Sequence, residues 1–155
     1  MNAHFLLLFL TTIFISYVWY IWAIYGVQKS ISYSFYRLKG WKKILFTLFC
    51  WGFGFPLAML ADGDPLLFFA GAAFCFVGAA NDFKGNELTH NVHMIGAYTG
   101  VAMAKIGLWI YYGWWYSFAS FVAIAIPLLF VKNKIWWIEL AAFGTVGTSL
   151  YMLMW

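Results

Sequence analysis

The sequence predicts an all-α fold: a polytopic transmembrane helix bundle of about six spans with no soluble domain. Three observations predict it. Of 155 residues, 65% are hydrophobic and 9% charged, whereas ordinary globular domains are roughly half apolar and about a quarter charged. The apolar residues gather into runs close to the ~20 residues that cross a hydrocarbon core about 30 Å thick. Short polar breaks separate the runs, and the basic residues occupy alternate breaks. Six spans would consume about 120 residues, so the whole chain, 1–155, reads as one membrane unit.

The first span covers residues 4–26. It lacks the basic n-region and A-x-A-like cleavage site of a signal peptide, so it is read as a retained helix. A polar, basic stretch over 27–43 follows, carrying Ser30, Ser32 and Ser34. Span two covers 44–61, with Pro56 behind Gly52 and Gly54 as a point of kinking. Asp62-Gly63-Asp64-Pro65 turns the chain into span three, 66–80. The most polar segment, NDFKGNELT at 81–89, leads to span four, 90–112. Gly113 turns into span five, 115–131, with Pro127 near its end; Lys132-Asn133-Lys134 then leads to span six, 135–154. Barrel strands would alternate apolar and polar residues, and these runs are apolar all round.

Aromatic residues (24% of the chain) collect at predicted helix ends, among them Trp41, Tyr112, Trp115 and Trp137. That is the headgroup level, where an amphipathic ring is wet at one end and greasy at the other. Lys29, Arg37, Lys39, Lys42, Lys43, Lys84, Lys132 and Lys134 all lie in the first, third and fifth loops. Under the positive-inside rule these loops are cytoplasmic and both termini lie outside, in a bacterial inner membrane or a plasma membrane. The net charge of +4 thus reads as orientation and attraction to anionic lipid, not as a nucleic-acid footprint. Cys50 and Cys75 fall inside spans and read as small apolar residues.

Helices in lipid gain little from hydrophobic contact, so small residues mark close approach. Gly96, Gly100 and Ala104 repeat every four residues in span four, and Gly71 and Gly78 share a face of span three. Ionisable groups in spans are the candidates for function. Asp82 would extend the small-residue face of span three if that helix continued, and His93 sits on the stripe of span four. His90 lies one turn earlier, and Glu139 enters span six at a similar depth.

Two kinds of chemistry are open to this set. His90, His93 and Asp82 could hold zinc and activate water, although H-x-x-H lacks the spacing of the H-E-x-x-H motif. Alternatively, Asp82, His93 and Glu139 could act as a catalytic or proton-relay group. The plainer expectation is that these side chains fasten loops at the headgroup level and that no cofactor is bound. Lys105 lies inside span four, directed away from its stripe, and is expected to snorkel outward towards Asp62 or Asp64.

The segment from Pro65, PLLFFAGAAFCFVGAANDFKGNELTHNVHMIGA, resembles the damage-regulated autophagy modulator (DRAM) superfamily and its small bacterial six-helix relatives. The shared pattern is a glycine-rich third span, a short polar loop, then histidine followed by Gly-Ala. The resemblance implies a small six-helix membrane protein. The orientation read from the charges departs from it, since that family is usually drawn with cytoplasmic ends. A fainter similarity is to ceramidase-like membrane hydrolases, which set Ser, Asp and several His around zinc within seven helices. Of the three histidines here, His4 lies at the opposite face.

The function expected from these residues is that of a small, non-enzymatic integral membrane protein. It would act through the lipid bilayer, a membrane-protein partner or its own homo-oligomer, with the span-four stripe as the contact. A metal-dependent lipid hydrolase and a small channel or transporter are the alternatives.

Overall fold

A computed structural model describes residues 2–154; Met1 and Trp155 lie outside the described residues. These residues form six α-helices and no strand. They are α1 (Ala3–Tyr25), α2 (Ile44–Met59), α3 (Pro65–Ala79), α4 (Glu87–Tyr112), α5 (Tyr116–Leu128) and α6 (Lys134–Met154). Short 3-10 turns, Ser32–Tyr36 and Gly40–Lys43, lie between α1 and α2. Two helices, α1 and α6, are long and apolar enough to cross a membrane.

Local chemistry sets several ends. The Asn2 side chain accepts from His4 N–H to start α1, and Gln28 Nε2 closes it by donating to the carbonyls of Tyr25 and Gly26. Asp64 caps α3, accepting from Leu66 and Leu67 N–H ahead of Pro65, since Pro has no amide hydrogen to leave orphaned. Asn86 Oδ1 accepts from Thr89 N–H and starts α4 at Glu87, three residues before His90. Gly113, at φ 66° and ψ 11°, supplies the left-handed residue that ends α4. Pro127 is the penultimate residue of α5, which stops at Leu128.

Consecutive helices from α1 to α4 pack side by side, and α5 and α6 form a hairpin that touches α4 and α1 more lightly. The α2–α3 contact runs through Gly54, Gly71 and Gly78. A Cβ on Gly71 would lie 2.5 Å from Ala58 N and from Gly54 O, and one on Gly78 would lie 2.7 Å from Cys50 Cβ. The α3–α4 contact uses Gly96, Gly100 and Ala104. Gly96 lies over the Ala73 carbonyl, Gly100 over Ala73 and Phe74, and Ala104 is fully buried. The span-four stripe is therefore occupied by α3 of the same chain, which corrects its assignment as an exposed oligomer face.

Two apolar clusters fill the interior. One joins the start of α1 to the ends of α2, α4 and α6 and the start of α3. The other lies at the opposite end, where Tyr17, Ile21, Phe46 and Trp136 enclose Ile31, Phe35 and Leu38 of the first loop. That loop is thus part of the core. Ser34 is buried, bonding Tyr17 Oη at 2.5 Å.

Candidate functional site

A cavity of about 480 Å³ lies between α4, the α5–α6 hairpin and the α2–α3 pair. It lies where the hairpin packs lightly against α4. Its walls are mostly apolar and rich in aromatic rings: Phe46, Phe49, Phe53, Phe74, Phe83, Phe118, Phe121, Phe143 and Tyr98. Polar groups are few: Ser30, Ser32, His93 and Glu139 towards one end, and Lys105 towards the other. Tyr98, Ala102 and Ile106, one turn apart on α4, line it and are exposed on the outer surface, as is Phe118 of α5. These exposures place an opening of the cavity sideways, between α4 and α5.

Glu139 lies one turn and a half into α6. Its carboxylate accepts a hydrogen bond from Ile31 N–H, and Ser32 N–H stands beside it. These are free amides at the start of the 3-10 turn, groups that favour a negative partner. The contact joins residues 108 apart in sequence and fixes the first loop on α6. Asn133 Nδ2 reinforces it by donating to Val27 O at 3.3 Å.

His93 is buried, its Nδ1 3.1 Å from Ala80 O. A carbonyl can only accept, so Nδ1 carries a hydrogen. The ring stacks on Phe83 with centroids 4.3 Å apart and lies 6.2 Å from Phe46. It belongs to the aromatic wall.

The structure separates the other residues of the expected set. Asp82 does not continue α3: the helix ends at Ala79, Ala80 leaves helical geometry at ψ 46°, and Asp82 is exposed in the loop. His90 is exposed too, 6.5 Å from the Phe83 ring. His90, His93 and Asp82 thus do not converge. Among the described residues no group of three or more His, Cys, Asp or Glu side chains stands close enough to hold a metal ion.

Lys105 also differs from its expected place. It is 2% exposed, so it does not snorkel outward or pair with Asp62 or Asp64. Its ammonium donates to Ser117 O at 3.1 Å, to Ser117 Oγ at 3.3 Å and to Thr145 Oγ1, and lies 4.9 Å from the Phe121 ring centre. The three donors thus pin α4 to α5 and α6 through neutral acceptors. Direction away from the glycine stripe was the correct geometry, but that side of α4 meets the hairpin.

Outside the helices, the third loop is clamped to the first. Lys84 N–H donates to Tyr36 Oη at 2.6 Å, and the Lys84 ammonium lies 4.2 Å from the Tyr33 ring centre and 4.6 Å from that of Tyr36. A hydrogen bond with Lys84 holds the Tyr33 hydroxyl below the usual tyrosine range. The chain matches no family model, and no curated protein or solved structure is detectably similar to it.

Proposed function

We propose that the chain is a six-span integral membrane protein that binds an apolar ligand drawn from the bilayer, and that it works by binding, not catalysis. Its outer surface supports the membrane reading. Large apolar side chains are exposed on every helix, including Trp19 on α1, Phe55 on α2, Phe76 on α3, Ile110 on α4, Ile126 on α5 and Tyr151 on α6. A water-soluble monomer rarely exposes contiguous apolar patches beyond a few hundred Å², whereas lipid solvates them. The eight loop cations favour a cytoplasmic position for loops one, three and five, with both termini and the Asp62–Asp64 turn outside.

Three helices are short for this role: α2 with 16 residues, α3 with 15 and α5 with 13 are roughly 20–24 Å long, against a core of about 30 Å. Flanking turns and local thinning of the bilayer accommodate such a mismatch at a small cost per ångström.

The observation that carries the binding reading is the cavity itself. Its volume falls within the roughly 300–1,000 Å³ of small-molecule sites, its walls are apolar, and its mouth faces the lipid. Extraction of purified protein followed by lipid mass spectrometry tests it. A co-purifying amphiphile is expected for wild type and its loss for Ala97→Trp, which fills the cavity. Equal recovery from both would sink the reading.

A further inference from the structure

The walls and the charges of the cavity together define what it would hold. We propose that its occupant is a lipophilic cation, such as a long-chain quaternary ammonium, with its charge beside Glu139 and its apolar body against the phenylalanines. The proposal rests on the binding reading above and adds the ligand's chemical class.

Glu139 is partly exposed although it lies within the bundle, and the surface it exposes belongs to the cavity wall. Its partners are backbone N–H groups, none of them a cation. A carboxylate has about four acceptor positions, so these bonds orient it and leave capacity for a ligand. An unpaired charge in a greasy site is costly, and a cationic ligand offsets that cost.

Lys105, the other charge on the wall, does not favour an anion in the same way. Its three donors are already spent on Ser117 and Thr145. Thr145 lies six residues beyond Glu139 on α6, about 9 Å along the axis. A cation therefore sits at the Glu139 end, away from the Lys105 ammonium. His93, near the Glu139 end, presents a ring stacked on Phe83 and bonded through Nδ1.

The aromatic wall supplies the second half of the recognition. Ring faces attract cations through their quadrupoles, most strongly where water is excluded. Phe46 and Phe49 line the cavity near Glu139, and both stand in the second core cluster beside Ile31. Entry follows from the same electrostatics. Exposed Lys132 and Lys134 at the start of α6 repel a cation approaching from the loop face, whereas the lateral mouth admits one already dissolved in the bilayer.

Equilibrium dialysis against protein-loaded and empty phosphatidylcholine nanodiscs tests this, with dodecyltrimethylammonium and uncharged dodecanol as probes. Wild type is expected to bind the cation about tenfold more tightly than the alcohol. Glu139→Gln should abolish the preference while retaining dodecanol, Glu139→Asp should keep it, and Ala97→Trp should lose both ligands. Equal binding of the two probes by wild type overturns the cation assignment and leaves the cavity reading standing, even if Glu139→Gln fails to fold. A preference that persists in folded Glu139→Gln also overturns it. Failure of wild type to bind either probe overturns both.

Discussion

The Asp64 carboxylate occupies the space that a side chain at Gly107 would need, since a Cβ built there would lie 2.6 Å from Asp64 Oδ2. Asp64 is held by the two N–H bonds that cap α3 and is buried. Its carboxylate cannot swing aside without uncapping the helix. Gly107→Ala is therefore expected to destabilise the fold by about 1–3 kcal/mol, the usual cost of overpacking. Chemical denaturation in detergent measures it, and a stability equal to wild type would refute the argument.

The helix glycines should fall into a graded series. Gly71→Ala sets a Cβ against backbone atoms of α2 at 2.5 Å, and backbone cannot yield, so α2 and α3 must separate. At Gly100 the nearest atoms lie 3.4 Å away, ordinary contact, so Gly100→Ala should be tolerated and Gly100→Leu should not. Around Gly144 there is nothing within 4 Å, and Gly144→Ala should stabilise α6 by about 0.5–1 kcal/mol through helix propensity alone. Melting temperatures of the four variants in one detergent give the order. Since Gly100 faces α3, the damage from leucine should appear as lost stability of the monomer and not as a changed oligomeric state.

These contrasts show what the sequence could and could not reveal. The all-α architecture was legible because the apolar runs lack a period of two. Four-residue spacing places Gly96, Gly100 and Ala104 on one face, and spacing does not name the neighbour that fills it. Asp82 was misplaced because a polar residue after an apolar run looks like one more helical turn, whereas Ala80 departs from helical geometry with no proline or glycine to announce it. Lys105 was misread because its burial depends on Ser117 and Thr145, one and two helices further along the sequence. The cavity left no local signal at all, since seven helix and loop segments share its lining.

Lys105 separates charge burial from hydrogen bonding. Lys105→Met removes hydrogen bonds from a charged group, worth about 1.5–3 kcal/mol each at most, and also removes an ammonium that costs roughly 3 kcal/mol in a bilayer interior. Its acceptors keep other partners: Thr145 Oγ1 bonds Ala141 O, and Ser117 O accepts from Ser120 Oγ. Three such bonds outweigh the cost of the buried charge even so, and Lys105→Met is expected to destabilise the fold by about 2 kcal/mol or more, read by chemical denaturation in detergent. Lys105→Glu keeps a buried charge without the donors and should fail to accumulate in the membrane.

The dispersal of His90, His93 and Asp82 bears on metal content. Zinc binding by imidazole and carboxylate needs three or four ligands within about 2.2 Å of one point. His93 is buried while His90 and Asp82 are exposed, and among the described residues no three His, Cys, Asp or Glu side chains stand close enough to hold a metal ion. Elemental analysis of protein purified without chelator is expected to give well under one zinc per chain for wild type and for His93→Ala alike. A stoichiometric signal that His93→Ala removes would return the hydrolase reading to first place.

Sidedness rests on the loop cations and can be read without disturbing the core. Cys50 is buried and Cys75 partly so, so both are replaced by alanine in the labelling background. Lys132 and Trp115 are exposed at opposite ends of α5, which makes each a reporter for one face. With basic loops cytoplasmic, a membrane-impermeant maleimide applied to intact cells should label Trp115→Cys and reach Lys132→Cys only after lysis. The reverse pattern would invert the orientation while leaving the lateral mouth facing lipid. Labelling of both in intact cells would mean that α5 does not cross the bilayer, and the six-span reading would fall with it.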